Sequence, residues 1–313
     1  MKFNIRSLAF FVFAFAITMS QGISGAYAQG DGPRAYFFIP KETRLVSVYG
    51  LFLNGNQSYD TSIVAKNGNI DVNVGVIQYT HPIVSNDKLG ALIAIVPFGE
   101  TKGTLKIGNR EIKGSSSGLG DIQLGAGLTL SGMNAMTLQE YVQAKPTYTF
   151  GVLGRVFTPT GAYSDSKVVN MGSNRWAFLL GFPTVYYVGK SFLDPQLMTF
   201  ELLPSVTFFT KNNKTYGGGS SQQDPLMKLE GHVTRNVHQA VWLSLDGLYT
   251  YGGKVKTDGF GGSDSQSSFG MGGTVGLALS KQISGKLTYG GTVSHNESGG
   301  DGHFWRIVGN YAF

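Results

Sequence analysis

The chain has 313 residues, of which 45 are Gly, none is Cys and only 14% are charged. Its formal net charge of +6 is not concentrated in a Lys/Arg cluster, so the sequence gives no support to a nucleic-acid-binding protein. After residue 28 no apolar run approaches the ~18 residues of a transmembrane helix, which excludes a helical membrane protein. A mean hydropathy of −0.02 with 12% aromatic residues fits a soluble all-β protein or a membrane β-barrel, in which lipid-facing and lumen-facing residues alternate.

Residues 1–28 have the three parts of a secretory signal peptide. Lys2 and Arg6 precede the apolar run 8–17, and Ala26-Tyr27-Ala28 offers a small-x-small cleavage site. This run is too short to cross a membrane as a helix, so we expect export and cleavage near Ala28.

Twelve segments of strand length, most of them alternating between apolar and polar residues, follow along the chain. An even number of strands suits a closed barrel with both ends in the periplasm. We therefore predict an all-β fold, a transmembrane antiparallel up-and-down β-barrel of about 12 strands over residues 44–313. Residues 29–43 are expected to form a short N-terminal segment in the periplasm or the lumen. The predicted strands are 44–53, 70–80, 89–98, 119–130, 146–157, 175–188, 197–209, 226–237, 240–251, 269–280, 285–295 and 303–313.

The connections between these segments alternate in length. Most even-numbered connections are short, and 131–145 is a long exception with a predicted helical turn. Long loops outside and short turns inside are typical of outer-membrane barrels. The long, polar odd-numbered connections are 54–69, 99–118, 158–174, 210–225 and 252–268.

Segment 226–237 indicates which strand faces point into the lumen. One face is apolar, and the other carries Lys228, Glu230 and His232. Because a mid-membrane Lys on the lipid face costs about 2–4 kcal/mol, the polar face is predicted to line the lumen, as a structural network or as a substrate-selecting surface. The candidate residues of the lumen or substrate path are Asp121, Arg155, Arg175, Glu201, Lys228, Glu230, His232, Asp246 and Arg306.

Segment 89–98 (LGALIAIVPF) differs because it is apolar on both faces. Its inward side would cover part of the lumen with hydrocarbon. We expect Leu92 and Val96 to point inward and to form part of an apolar substrate path.

The last predicted strand has one face of apolar, mostly aromatic residues that extends to the end of the chain. Trp305, Ile307, Gly309, Tyr311 and Phe313 occupy every second position and therefore share one face. A terminal strand of this kind resembles the signal read by the barrel-insertion machinery. We expect that machinery, outer-membrane lipid and lipopolysaccharide as partners, in the outer membrane of a Gram-negative bacterium.

Residues 159–178 resemble the core of a known family, the outer-membrane transporters labelled "MetA-pathway of phenol degradation" proteins. Residues 39–41 and 118–121 are also similar to that family. The resemblance implies a barrel for aromatic or other hydrophobic compounds, related in role to the long-chain fatty-acid channels. The positions that carry the motif are Pro159, Thr160, Gly161, Tyr163, Asn170, Gly172, Asn174, Trp176 and Phe178.

This motif also has a physical interpretation. Gly161 and Gly172 would permit a positive φ, and Asn170 and Asn174 can bond nearby backbone. Trp176 would begin the next strand as an interface anchor. The segment is thus a structural corner or a substrate contact.

Enzyme classes find little support in the sequence. None of the His residues at 81, 232, 238, 295 and 303 has Ser two residues later, the pair carried by barrel lipases and deacylases. Because P-loop, dinucleotide and metal patterns are also missing, we expect no enzyme activity, cofactor or metal. The predicted function is passive uptake of hydrophobic or aromatic small molecules. The alternative is a non-transporting barrel with a structural or adhesive role.

Overall fold

The computed structural model of the protein describes residues 30–58, 62–107, 110–258 and 261–313. The predicted signal peptide, residues 1–28, lies outside the described residues. The strands follow the alternating segments of the sequence, since a strand places successive side chains on opposite faces. They are β1 (Leu45–Gly55), β2 (Gly68–Ser85), β3 (Lys88–Ile107), β4 (Arg110–Leu119), β5 (Gln123–Gly132), β6 (Tyr148–Phe157), β7 (Ala177–Gly181), β8 (Thr184–Val188), β9 (Met198–Phe209), β10 (Ser221–Gln223), β11 (Leu226–His238), β12 (Val241–Gly252), β13 (Val255–Thr257), β14 (Gly261–Gly262), β15 (Gln266–Ala278), β16 (Ile283–His295) and β17 (Gly302–Ala312).

Antiparallel pairing closes the main sheet on itself. β4 and β5 both pair with β3, so together they occupy a single strand position in the barrel. β7 and β8 both pair with β6 and β9, so they also share one position. The barrel therefore has twelve strand positions, which confirms the predicted fold. Around the barrel the order is β1, β2, β3, β4/β5, β6, β7/β8, β9, β11, β12, β15, β16 and β17, which pairs with β1.

Three regions predicted as loops contain strands. Residues 99–107 and 110–118 of the predicted loop 99–118 lie in β3 and β4, which pair in a ladder that begins at Phe98 and Leu119. The loop prediction failed there because Ser, Gly and Lys have weak strand preference, which pairing with a neighbouring strand overrides. In the connections 210–225 and 252–268, β10, β13 and β14 form a separate three-stranded sheet.

The two ends of the barrel differ in their connections. At the end we call the turn end, β1 starts, β17 ends, and Asn86 and Asp87 (φ 46° and 59°) make a two-residue turn of the kind that joins paired strands. The opposite end, the loop end, carries the long connections, including residues 158–176 between β6 and β7.

Helix α1 (Leu138–Gln143) lies in the long turn-end connection between β5 and β6, where a helical turn was predicted. Thr137 and Glu140 form a capping box, in which each side chain accepts from the backbone N–H of the other residue. Within the described residues, no helix is long and apolar enough to cross a membrane.

The outer face of the barrel is apolar. Aliphatic side chains such as Val48, Ile77 and Leu124 are exposed in its middle. Exposed aromatic side chains lie nearer both ends, as in the aromatic girdles of barrels that cross a membrane. They include Tyr148, Tyr186, Tyr311 and Phe313 towards the turn end, and Phe52, Trp176, Phe178, Phe208 and Tyr251 towards the loop end.

Candidate functional site in the barrel lumen

The candidate site is a cavity of about 570 Å³ inside the barrel. Strands on all sides contribute to it, and residues 30–43, which we call the N-terminal segment, enter it from the turn end. Asp31, Arg34 and Tyr36 of this segment line the cavity. Its walls differ in chemistry from one side of the barrel to the other.

One side of the cavity is covered by hydrocarbon. Inward side chains of β2, β3, β6, β7 and β9 meet there, and several of them are fully buried. This surface, the apolar wall, consists of Val74, Val76, Ile93, Ile95, Leu153, Leu179 and Leu203.

The prediction that Leu92 and Val96 point into the lumen was wrong. Leu92 is 48% exposed on the outer face, and Val96 lies on the same face, opposite Ile77. Ile93 and Ile95 line the cavity instead. Because segment 89–98 is apolar on both faces, its sequence does not indicate which face lines the lumen and which contacts lipid.

The opposite side of the lumen is polar and extensively hydrogen-bonded. His232 Nδ1 lies 2.7 Å from Asp246 Oδ1, and His232 Nε2 lies 2.8 Å from Glu230 Oε1. A doubly protonated imidazole ring satisfies both carboxylates. This surface, the polar wall, consists of Lys228, Glu230, His232, Asp246, Thr274, Lys286, Thr288 and Arg306.

Buried threonines extend this network across neighbouring strands. The Thr274 hydroxyl donates to Asp246 at 2.6 Å and lies 2.8 Å from the hydroxyl of Thr288. Thr199 donates to Glu201 at 2.6 Å and lies 2.7 Å from Thr234. Most of these groups form hydrogen bonds with one another, and such bonds offset the cost of removing buried polar groups from water.

The N-terminal segment is bonded to the polar wall. The backbone N–H groups of Asp31 and Gly32 donate to Glu230 at 3.0 and 2.6 Å. Lys286 Nζ donates to the Pro33 carbonyl at 2.7 Å, and Arg306 Nη1 donates to the Gly30 carbonyl, also at 2.7 Å.

Two charged residues of the same segment reach further strands. Both oxygens of Asp31 accept from Arg155, at 3.0 and 2.9 Å. The Arg34 backbone N–H donates to Glu201, and its guanidinium donates to Thr234 at 3.1 Å. The guanidinium also lies 4.4 Å from the centroid of the Trp242 ring. The sequence analysis did not predict these contacts. The signal for them was the presence of the charged residues Asp31 and Arg34 in a segment expected in the periplasm or the lumen.

Aromatic side chains close the turn end. Tyr141 of α1 stacks on Phe192 with ring centroids 4.0 Å apart, and the Phe38 backbone N–H donates to the Tyr187 hydroxyl at 2.8 Å. Nearby, Asp194 caps the turn between β8 and β9. Its carboxylate accepts hydrogen bonds from the backbone N–H groups of Lys190 and Gln196, and these bonds lower the pKa of the carboxyl below the ordinary value.

The connection 158–176 folds inward and closes part of the loop end. Val169 and Met171 are buried against Leu51, Val72 and Phe304. Three of these residues, Val72, Met171 and Phe304, have no exposed surface at all. This packing makes the family motif a structural corner.

Asp121 holds this corner in place. Its carboxylate accepts from the backbone N–H groups of Gly161 and Ser173 at 2.9 and 2.8 Å. Gly161 and Gly172 do not have the positive φ that was predicted. They are needed because the two backbones touch: an added Cβ on Gly172 would lie 2.7 Å from the carbonyl carbon of Gly161.

The other motif residues support the same corner. Asn170 accepts from the Ser164 N–H at 2.9 Å, and Asn174 has a φ of 54°. Thr160 accepts from the Ile122 N–H at 3.0 Å. Trp176 and Phe178 are exposed on the outer face, the position predicted for an interface anchor.

Arg175 lies at the loop end and not in the cavity. It donates to Gln223 at 2.5 Å, and Gln223 donates to the Ser62 carbonyl at 2.8 Å. Of the predicted candidates, Arg155, Lys228, Glu230 and Arg306 line the cavity, whereas Asp121 and Arg175 belong to the loop-end closure.

The polar wall does not have the geometry of a hydrolase triad. The hydroxyls of Ser244 and Thr274 donate to Asp246 and not to His232. Both ring nitrogens of His232 are engaged with carboxylates. A nucleophile that uses His232 as its base would need one of those nitrogens.

The fold and the lumen define a membrane β-barrel of the channel type. Residues 54–307 match the model of the family described as "Putative MetA-pathway of phenol degradation", and the chain belongs to that family.

Among solved structures, the COG4313 outer membrane channel from Pseudomonas putida F1 is similar, with a TM-score of 0.73 at 18% identity over 90% of this chain and 99% of that one. At this identity the likeness concerns the fold. The transport unit of the autotransporter AIDA-I from Escherichia coli (10% identity, 90% and 95% covered, TM-score 0.48) and the KdgM porin (7%, 85% and 99%, 0.43) are too distant to support an argument. A search of curated proteins finds no match.

Proposed function

We propose that the protein is an outer-membrane channel that takes up hydrophobic or aromatic small molecules by passive diffusion. The observation that carries this proposal is the apolar wall beside a cavity of about 570 Å³. That volume lies within the range of roughly 300–1,000 Å³ typical of small-molecule sites. Membership of the family supports the same function.

Selectivity for hydrophobic solutes follows from the two walls. An apolar solute gains about 25 cal/mol for each Å² of apolar surface that it buries against residues such as Ile93 and Leu153. A sugar or a hydrated ion gains nothing there and has to give up water. Because a barrel of about twelve strands is largely filled by its own side chains, wide aqueous flow is not expected.

Transport would need movement at both closures. The loop end would face the outside of the cell, where residues 158–176 cover the lumen. The turn end would face the periplasm, where the aromatic cluster around Phe192 lies. The parts of these closures that lie outside the main sheet are the 158–176 connection, the turn-end connections and the N-terminal segment, which pack against barrel strands and can move without breaking the barrel.

Export and assembly are part of this proposal. Cleavage near Ala28 would make Gln29 the first residue of the mature chain, immediately before the N-terminal segment in the sequence. Mass spectrometry of the purified protein tests the cleavage site. The insertion machinery and lipopolysaccharide are the proposed partners of the outer face.

The function is tested by uptake of radiolabelled toluene into Gram-negative cells with an intact lipopolysaccharide layer. Cells that express the protein should take up toluene several-fold faster than cells that do not, with no change for a labelled sugar. Unchanged toluene uptake would favour a structural or adhesive surface barrel. Large ohmic currents in planar bilayers would instead indicate a general porin.

A further inference from the structure

The N-terminal segment places a carboxylate on a lumen cation at the edge of the cavity. Arg155 holds Asp31 in a bidentate pair, the geometry that a guanidinium forms with any carboxylate. The Arg155 side chain is 10% exposed, and that of Asp31 is 25% exposed. Arg155 Nε is buried without a hydrogen-bond partner among the described residues. The guanidinium therefore has a donor that Asp31 does not use.

An apolar shelf lies directly beside this pair. On β5, Gly125 pairs with Arg155 and Gly127 pairs with Leu153, so β5 has no side chain at these two inward positions. On the other side of Gly125 is Ile93. A Cβ added to Gly125 would lie 3.7 Å from both Arg155 Cγ and Ile93 Cβ. The shelf is thus within van der Waals reach of a charge and of hydrocarbon.

We propose that Arg155 binds the carboxylate of hydrophobic monocarboxylates, whose apolar body lies on this glycine shelf, and that Asp31 occupies the position when no such solute is bound. The inference rests on the proposed function and names a substrate class for it.

The competition between Asp31 and a solute explains the expected selectivity. As part of the chain, Asp31 competes at an effective concentration in the millimolar range, so a free carboxylate needs an additional source of affinity. Its apolar body supplies this by covering Ile93 and Leu153, a contact that the single methylene of Asp31 does not make. Benzoate should therefore bind better than acetate. Benzyl alcohol has the same ring but no carboxylate, so it should bind without regard to Asp31.

The test is calorimetric titration of the full-length protein in detergent with benzoate, acetate and benzyl alcohol. Asp31→Asn should tighten benzoate binding about tenfold, because the tethered competitor is lost, and Arg155→Met should weaken it about tenfold or more. Arg155→Lys keeps the charge without the bidentate geometry, so its benzoate affinity should lie between those of the wild-type protein and Arg155→Met. Lys281→Met is the control, since it removes an exposed cation that does not line the cavity, and it should leave benzoate affinity within about twofold. Benzyl alcohol affinity should stay constant throughout, and heat-modifiable migration on gels reports that each variant is folded.

Unchanged or weaker benzoate binding by Asp31→Asn would overturn the inference, as would an equal effect of Lys281→Met and Arg155→Met. If benzyl alcohol binds and benzoate has no preference for Arg155, only the carboxylate site fails. If no aromatic probe binds to any variant, the proposed function fails with it.

Discussion

The two walls of the lumen are built from the same kind of strand and are stabilised in different ways. On the polar wall, Glu230, His232 and Asp246 bond one another and the N-terminal segment. On the apolar wall, Ile93 and Leu153 make only van der Waals contacts and border empty space. Carboxylates and an imidazole that already bond one another have little left to offer a solute. The comparison indicates that charge in a barrel lumen by itself does not mark a substrate site.

The largest effect is expected from breaking the polar wall. Asp246→Ala leaves His232 Nδ1 and the Thr274 hydroxyl without the buried carboxylate that both of them bond, which should reduce the free energy of unfolding by about 3–5 kcal/mol. Urea titration of the heat-modifiable barrel in lipid measures this loss. Glu297→Ala is the control, because it breaks only a solvent-exposed pair with Lys66, which water screens. Equal losses in both variants would mean that the polar network does not stabilise the barrel.

The second test separates the apolar wall from the lipid face one residue away. Leu92→Lys puts a charge on the outer face and should cost about 2–4 kcal/mol of stability. Ile93→Lys puts the same charge into the cavity, where it should cost less stability and slow toluene uptake instead. Urea titration and whole-cell uptake are measured for both. The opposite assignment of the two effects would show a register error of one residue in β3.

The third test concerns the seam at which the two walls join, between β17 and β1. Phe313 and Arg44 exchange two backbone hydrogen bonds, at 2.9 and 3.0 Å, and deleting Phe313 should cost about 1–3 kcal/mol. The fraction of heat-modifiable barrel in outer-membrane extracts should fall. Phe313→Tyr retains the ring and both hydrogen bonds and should assemble normally. A deletion variant with normal folded yield would show that the terminal residue does not direct assembly.

The smallest effect is expected at the cover of the apolar wall. Gly172→Ala forces apart Gly161 and Gly172, which touch within the 158–176 connection, and should cost about 1 kcal/mol. Limited proteolysis should then cut this connection faster. Gly154→Ala is the matched control, since its added Cβ meets nothing within 4 Å. Equal cleavage of both variants would argue against a tight glycine contact.

Much of the fold could be predicted because its signal is local. Strand 226–237 alternates between apolar and polar residues from Met227 to Thr234, so both its existence and its inward face follow from the sequence. The same holds for the terminal strand, whose Ile307, Tyr311 and Phe313 are exposed on the outer face. The motif at 159–178 likewise indicates the family from the sequence alone.

What remained undetermined depends on contacts between distant residues. The sequence by itself determined the twelve strands, the family and the polar faces, because alternation and composition are properties of neighbouring residues. Only the tertiary structure decided that Ile93 and not Leu92 lines the lumen, since a doubly apolar strand takes its register from its partners. It also decided that Asp31 meets Arg155, 124 residues away, because that contact depends on how the N-terminal segment enters the closed barrel.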